Sequence, residues 1–133
     1  MNEDRLALIK YRLEQSDRTL HEAELLAQYS EWNGSVNRAY YAMFYGALAL
    51  LLTKGLGSSK HTGVLALIDK EFVHTGIIPA EISAVLRDAF NQRQKSDYSE
   101  MKPVSDVRAK EILYNAHRVV TVFNAAIDKQ LNP

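Results

Sequence analysis

The feature that most constrains this chain is an uncharged run, Tyr40 to Leu52 (YYAMFYGALALLL), thirteen residues lying between Arg38 and Lys54. A helix that crosses a bilayer needs about 20 apolar residues, so the run is too short to span a membrane. It reads instead as a helix apolar on nearly every side, which has to sit at the centre of a packed core. The segments around it must then each supply one apolar face and leave the others to water.

The rest of the chain supplies such segments. From Asp4 to about Tyr29, Leu6, Ile9, Leu13, Ser16, Leu20, Ala23 and Ala27 recur at alternating steps of three and four, one stripe on a long amphipathic helix. The central helix is expected to start at an Asn33 cap and run to Lys54, with Val36, Tyr40, Met43, Ala47 and Leu50 on one stripe and Tyr41, Phe44, Leu48 and Leu51 widening it. Gly55-Leu56-Gly57-Ser58-Ser59 breaks it. A shorter helix from about Lys60 to His74 follows, with Val64, Leu67, Ile68 and Phe72 or Val73 inward and Gly76 as its stop. Pro79 suits the first position of a fourth helix, whose stripe Ile82, Val85, Leu86, Ala89 and Phe90 continues through Arg93 to Asp97. Lys102-Pro103 interrupts the chain, and Ser105 can cap a last helix carrying Ile112, Leu113, Ala116, Val119, Val120, Phe123, Ala126 and Ile127. No stretch shows sustained strand alternation. The predicted fold class is all-α, an up-and-down bundle of four to five helices forming one domain over residues 1–133.

Charge and composition exclude several function classes. Lys and Arg number 16 and Asp and Glu number 16, so the chain has no overall field for a polyanion, and any nucleic-acid contact must come from a local cluster. There is no cysteine, which removes disulfides, thiolate metal sites and a cysteine nucleophile; a cytoplasmic location is expected. The start, MNEDRLALIK, does not resemble a secretory signal. His21, His61, His74 and His117 form no i, i+4 pair and no HExxH, and the two Glu-x-x-His motifs that a di-iron bundle pairs are missing, so neither metal nor cofactor is expected. GLGSSKHTG lacks the Gly-Lys-Ser/Thr ending of a phosphate loop, and no Gly-x-Ser-x-Gly elbow is present.

Three constellations remain. Arg38, Tyr41 and Tyr45 share a face of the central helix, where a guanidinium beside two phenols can bind a phosphate or stack a base; alternatively the aromatic residues here are core with their hydroxyls bonded at the rim. Ser59-Lys60-His61-Thr62 opens the third helix, where free N–H groups, Lys60 and a titratable imidazole can meet an anion, or where Lys60 is merely solvated. Arg93 lies on the inward stripe of the fourth helix with Asp97 at i+4 and Tyr98 beyond. That pair is either an ordinary helix salt bridge or an arginine held for a ligand.

Taken in order, N-R-A-Y-Y-A-M-F-Y, G-S-S-K-H-T-G, K-E-F-V-H-T-G and R-Q-K-S-D-Y resemble the HEPN domain (higher eukaryotes and prokaryotes nucleotide-binding), in its small stand-alone prokaryotic branch, over about residues 5 to 128. The resemblance implies a bundle of four to five helices, commonly a homodimer, often paired with a minimal nucleotidyltransferase as toxin and antitoxin. In many members it implies a metal-independent ribonuclease, whose signature is an arginine followed after four to six residues by a histidine at the dimer cleft. Arg93 matches the arginine, but after four residues comes Tyr98, and the first histidine downstream is His117. His61 is therefore the candidate for moving the 2′-hydroxyl proton, with Arg93 and Arg38 stabilising the phosphorane and Tyr98 orienting or stacking the base. Two other readings stay open. In one, Arg38, Arg93, Asp97 and Tyr98 bind a nucleotide or partner protein without catalysis; in the other, the arginines are structural and the bundle only dimerises.

Overall fold

The computed structural model of the protein describes residues 1–98 and 103–133, Tyr98 by its backbone alone. Five helices follow in order: α1 (Glu3–Gln28), α2 (Trp32–Leu52), α3 (His61–Ile68) continued by a π-helical turn (Asp69–Val73), α4 (Ala80–Tyr98) and α5 (Asp106–Leu131), with no strand among the described residues. None of these helices is long and apolar enough to cross a membrane. The uncharged run behaves as its composition dictates. Val36, Ala39, Tyr40, Met43, Ala47, Leu50 and Leu51 are wholly buried, and α1, α3, α4 and α5 all pack on α2.

Two serines fasten α1 to α2. Ser16 Oγ donates to the Ala42 carbonyl at 2.7 Å and Ser35 Oγ donates to the Ala23 carbonyl at 2.8 Å, a descending register that makes the pair antiparallel. Ser16 thus sits on an apolar stripe at no desolvation cost, because its hydroxyl finds a carbonyl on the neighbouring helix. Opposite it, Gly46 lets the helices close up: a Cβ there would lie 3.1 Å from the Phe123 ring of α5. On the other side, Arg108 bonds Asp88 and Gln92, and Arg118 bonds Glu81, so α4 and α5 also run antiparallel.

The helix ends depart from the sequence expectations in instructive ways. α2 starts at Trp32, and Asn33 is not its cap. The α1–α2 turn is a Schellman motif in which Ser30 N–H donates to Ala27 O, Glu31 N–H donates to Leu26 O, and Ser30 takes φ +59°, a conformation usually left to glycine. That turn leaves Asn33 inside the helix, and its Oδ1 accepts the Val104 N–H at 2.9 Å, tying the approach to α5 to the start of α2. The α2 end repeats the motif with Gly55 at φ +68°, Gly55 N–H donating to Leu52 O and Leu56 N–H to Leu51 O. The third helix widens after Ile68, His74 N–H reaching back five residues to Asp69 O at 2.8 Å, which keeps Phe72 buried. Pro79 precedes α4 and does not open it, its carbonyl accepting the Ile82 N–H at 3.1 Å. Of the interruption at Lys102-Pro103, Lys102 lies outside the described residues. Ser105 caps α5 as its chemistry predicts, Oγ accepting the Arg108 N–H at 3.1 Å.

Candidate functional site

Where α2 and α4 run side by side, Arg93 comes opposite Tyr41, and Asp97 opposite Asn37. The Arg93 side chain is only 15% exposed. Its Nη1 donates to the Tyr41 hydroxyl at 3.3 Å and to Asp97 Oδ2 at 3.4 Å, while its Nε is buried and without a partner among the described residues. The guanidinium lies over three rings, its Cζ 5.3 Å from the centroid of Tyr40, 5.5 Å from Tyr41 and 5.8 Å from Phe90. Arg38 approaches Tyr41 as well, at 5.1 Å, and its Nε and Nη2 both donate to Asn37 Oδ1, at 3.1 and 2.8 Å. The Asn37 amide then donates to Asp97 Oδ2 at 3.5 Å. Two guanidiniums therefore share one tyrosine ring, with a single carboxylate that bonds Arg93 directly and Arg38 only through Asn37, an arrangement with positive charge to spare.

His61, the first residue of α3, turns toward the same rings. Its imidazole lies 4.2 Å from the Phe44 ring at an interplanar angle of 31° and 5.8 Å from both Tyr40 and Tyr41. Its Nδ1 shares a hydrogen bond of 3.1 Å with the Tyr40 hydroxyl. Burial, reinforced by the Arg93 charge, holds the His61 pKa below its ordinary 6.5, so the ring is neutral at pH 7. Burial drives the Tyr40 phenol far upward, against the pull of Arg93, so it keeps its proton.

Of the residues singled out from sequence, Arg38, Tyr41, His61, Arg93 and Asp97 come together at this junction. Tyr45 stands one turn further along α2, its ring 6.0 Å from Tyr41, and belongs to the edge of the cluster. Lys60 does not join it: the residue is exposed, and its recorded bonds are by backbone, N–H to Ser58 Oγ at 3.2 Å and carbonyl from the Val64 N–H at 3.0 Å. The Tyr98 side chain lies outside the described residues. Sequence reasoning passed over Asn37, which links Arg38 to the Asp97 carboxylate that Arg93 bonds directly, and it left Tyr40 and Phe44 open between core and site, with Phe90 on a core stripe. The signal for Tyr40 was its hydroxyl: a phenol on the innermost stripe has to find a partner. Size alone points elsewhere. A cavity of about 540 Å³ lined by Met1, Arg5, Leu6 and residues 130–133 shares no residue with the junction. Among the described residues no three His, Asp or Glu side chains are grouped to hold a metal ion.

Comparison with known proteins gives a consistent picture. The profile of the HEPN domain matches residues 9–126. A UPF0332 protein of Thermotoga maritima is 35% identical over 121 residues, covering 91% of this chain and 92% of its own length. A protein of Methanocaldococcus jannaschii named "Putative toxin MJ0605" is 34% identical over 131 residues, covering 98% of this chain and 97% of its own. The crystal structure of the protein TT1696 from Thermus thermophilus matches with a TM-score of 0.71 at 18% identity, over 89% of this chain and 97% of that one, a likeness of fold.

Proposed function

This chain belongs to the HEPN domain family, and from that premise we propose that it is the toxin-like component of a toxin–antitoxin pair, engaging the phosphate of an RNA or nucleotide between Arg38 and Arg93. The observation that carries this reading is the state of Arg93. A guanidinium that is largely buried and holds only long bonds, to the Tyr41 hydroxyl at 3.3 Å and to one carboxylate at 3.4 Å, is under-coordinated, and a tetrahedral oxyanion at its exposed edge supplies further acceptors. Around Tyr41 two positive charges face one negative charge beside a neutral imidazole, which suits the single charge of a phosphodiester better than a polyphosphate. In this proposal residues 1–133 form one cytoplasmic domain, two copies pair so that their clefts face one another, and a nucleotidyltransferase-type protein is the neutralising partner. The test is a titration of the purified protein with inorganic phosphate and a short RNA. Arg93→Ala is expected to weaken both by more than tenfold while helicity is retained, and unchanged binding refutes the reading.

Cleavage is a second reading: it needs a neutral ring beside Arg93 with a nitrogen free to take a proton, and His61 meets the first of these conditions. The 2′-oxygen attacks phosphorus as its proton leaves, the bond to the 5′-oxygen breaks, and that oxygen takes up a proton. The products carry a cyclic 2′,3′-phosphate and a 5′-hydroxyl, with the arginines holding the phosphorane charge. RNA incubated with excess chelator decides it: cyclic ends that vanish in Arg93→Ala and His61→Gln support cleavage, and intact but bound RNA leaves binding alone.

A further inference from the structure

A neutral imidazole has one nitrogen that donates and one that accepts, and which is which is set by its fixed neighbour. Here that neighbour is Tyr40, whose side chain is wholly buried. Its hydroxyl hydrogen needs an acceptor, and His61 Nδ1 at 3.1 Å is the one recorded among the described residues; its ring otherwise meets the rings of Tyr41, Phe44 and Phe90 and the Arg93 guanidinium, which has donors and no acceptor. With the proton on Nδ1, two hydrogens would compete for one contact and the phenol's would be stranded in the core. With Nδ1 bare, the phenol donates and both groups are satisfied. Turning the imidazole over would replace Nδ1 by a carbon, and the Phe44 ring packed at 4.2 Å restrains that motion.

We infer that Tyr40 fixes His61 with its proton on Nε2, so that His61 offers the cleft a hydrogen-bond donor and no free lone pair. Burial of the phenol supports this, since it keeps the O–H that makes the contact. Tyr40 is thus a positioning residue. The ligand side of the inference rests on the phosphate-binding reading above: Nε2–H donates to a phosphate oxygen beside Arg93, and His61 has no lone pair to take a 2′-hydroxyl proton. The site is assigned to binding, and cleavage there requires a proton acceptor other than His61.

Long-range proton–nitrogen correlation spectra of the ¹⁵N-labelled protein test this, with the His61 signals identified by their loss in His61→Gln. The expected pattern is a protonated Nε2 and a bare Nδ1 in the wild type. Tyr40→Phe keeps the ring in the core, and in it the bias should weaken to the milder Nε2–H preference of a free histidine side chain, with a detectable share protonated at Nδ1. Inorganic phosphate should shift the Nε2 signal, and Tyr40→Phe should weaken phosphate roughly three- to tenfold. A protonated Nδ1 in the wild type, or a bias undiminished in Tyr40→Phe, overturns the inference even if phosphate binds. The expected tautomer with no response to phosphate removes the donor role together with the phosphate-binding reading.

Discussion

Replacing Arg93 by methionine should leave the protein about as stable as before and unable to hold phosphate. The losses are modest. The i, i+4 contact with Asp97, whose side chain is 34% exposed, contributes about 0.3–0.5 kcal/mol. The long bond to the Tyr41 hydroxyl adds about 0.5 kcal/mol. Stacking over Tyr40, Tyr41 and Phe90 gives about 1–2 kcal/mol together. Against these, the variant removes a buried Nε–H with no partner, a defect of about 1–3 kcal/mol. Methionine also keeps the aliphatic stem and sets a thioether among the rings, a gain of about 0.3–1.5 kcal/mol. Taken at the midpoints of these ranges, the balance lies within about 1 kcal/mol of zero, a change in Tm of roughly 3–5 °C or less for a chain of this size. Urea denaturation followed by circular dichroism measures the stability, and a phosphate titration on the same sample measures binding. A loss of about 3 kcal/mol or more would mean that Arg93 is a structural brace, and wild-type phosphate affinity in the methionine variant would refute the assignment of the site.

Four further outcomes are expected. The His61 pKa is lowered on folding, so the unfolded chain binds that proton first; its stabilising share is complete above about pH 6.5 and is lost as pH falls through the lower folded value. His61→Gln should therefore flatten the fall in denaturation midpoint between about pH 7 and pH 5, and parallel slopes would contradict this. Burial raises the Asp69 carboxyl, but bonds from Ser83 and Arg87 and the nearby His74 outweigh it, so its net shift is downward; its stabilising share is present above about pH 3.9 and is lost as pH drops through the depressed folded value. Asp69→Asn should be relatively less penalised in acid than at neutral pH, as measured by paired midpoints. Asn33→Ala frees the Val104 N–H and should cost about 1–2 kcal/mol, with faster hydrogen exchange at that amide as the direct readout. Gly46→Ala sets a methyl against the Phe123 ring and should cost about 1–3 kcal/mol by urea denaturation; a neutral result would mean that α5 shifts easily.

The helices were legible because each buries one face, and burial writes itself into the spacing of Leu6, Ile9, Leu13 or of Ile82, Leu86, Ala89. Their ends were less so. Ser30 adopts the conformation in which a glycine is usually sought, so the turn carried no flag, and Asn33 looks like a cap until its distant partner Val104 is seen. The π-helical turn leaves the apolar spacing of Val64, Ile68 and Phe72 intact and so gives no sign of itself. At the site, the residues on a single helix could be paired by spacing, Arg38 with Tyr41 and Arg93 with Asp97. What joins them, Asn37 to Asp97 across 60 residues and Tyr40 to His61, depends on how α2, α3 and α4 pack, which no local pattern encodes. Lys60 looked like part of the site because it adjoins His61. Neighbouring residues at a helix start point about 100° apart, and only one of the two faces inward.

Tyr40 is held on every side by the bundle's interior and reaches the cleft only through its bond to His61. In evolutionary terms the site then has a frozen half and a plastic half. Changes at Tyr40 or Phe44 must first be compatible with folding, so they are screened for stability before ligand preference is ever exposed to selection. Asn37, Arg38 and Asp97 sit at the rim and carry little of the packing, so drift and adaptation can act on them cheaply. Relatives with altered ligand preference are therefore expected to differ first at that rim, around an interior tyrosine that stays put.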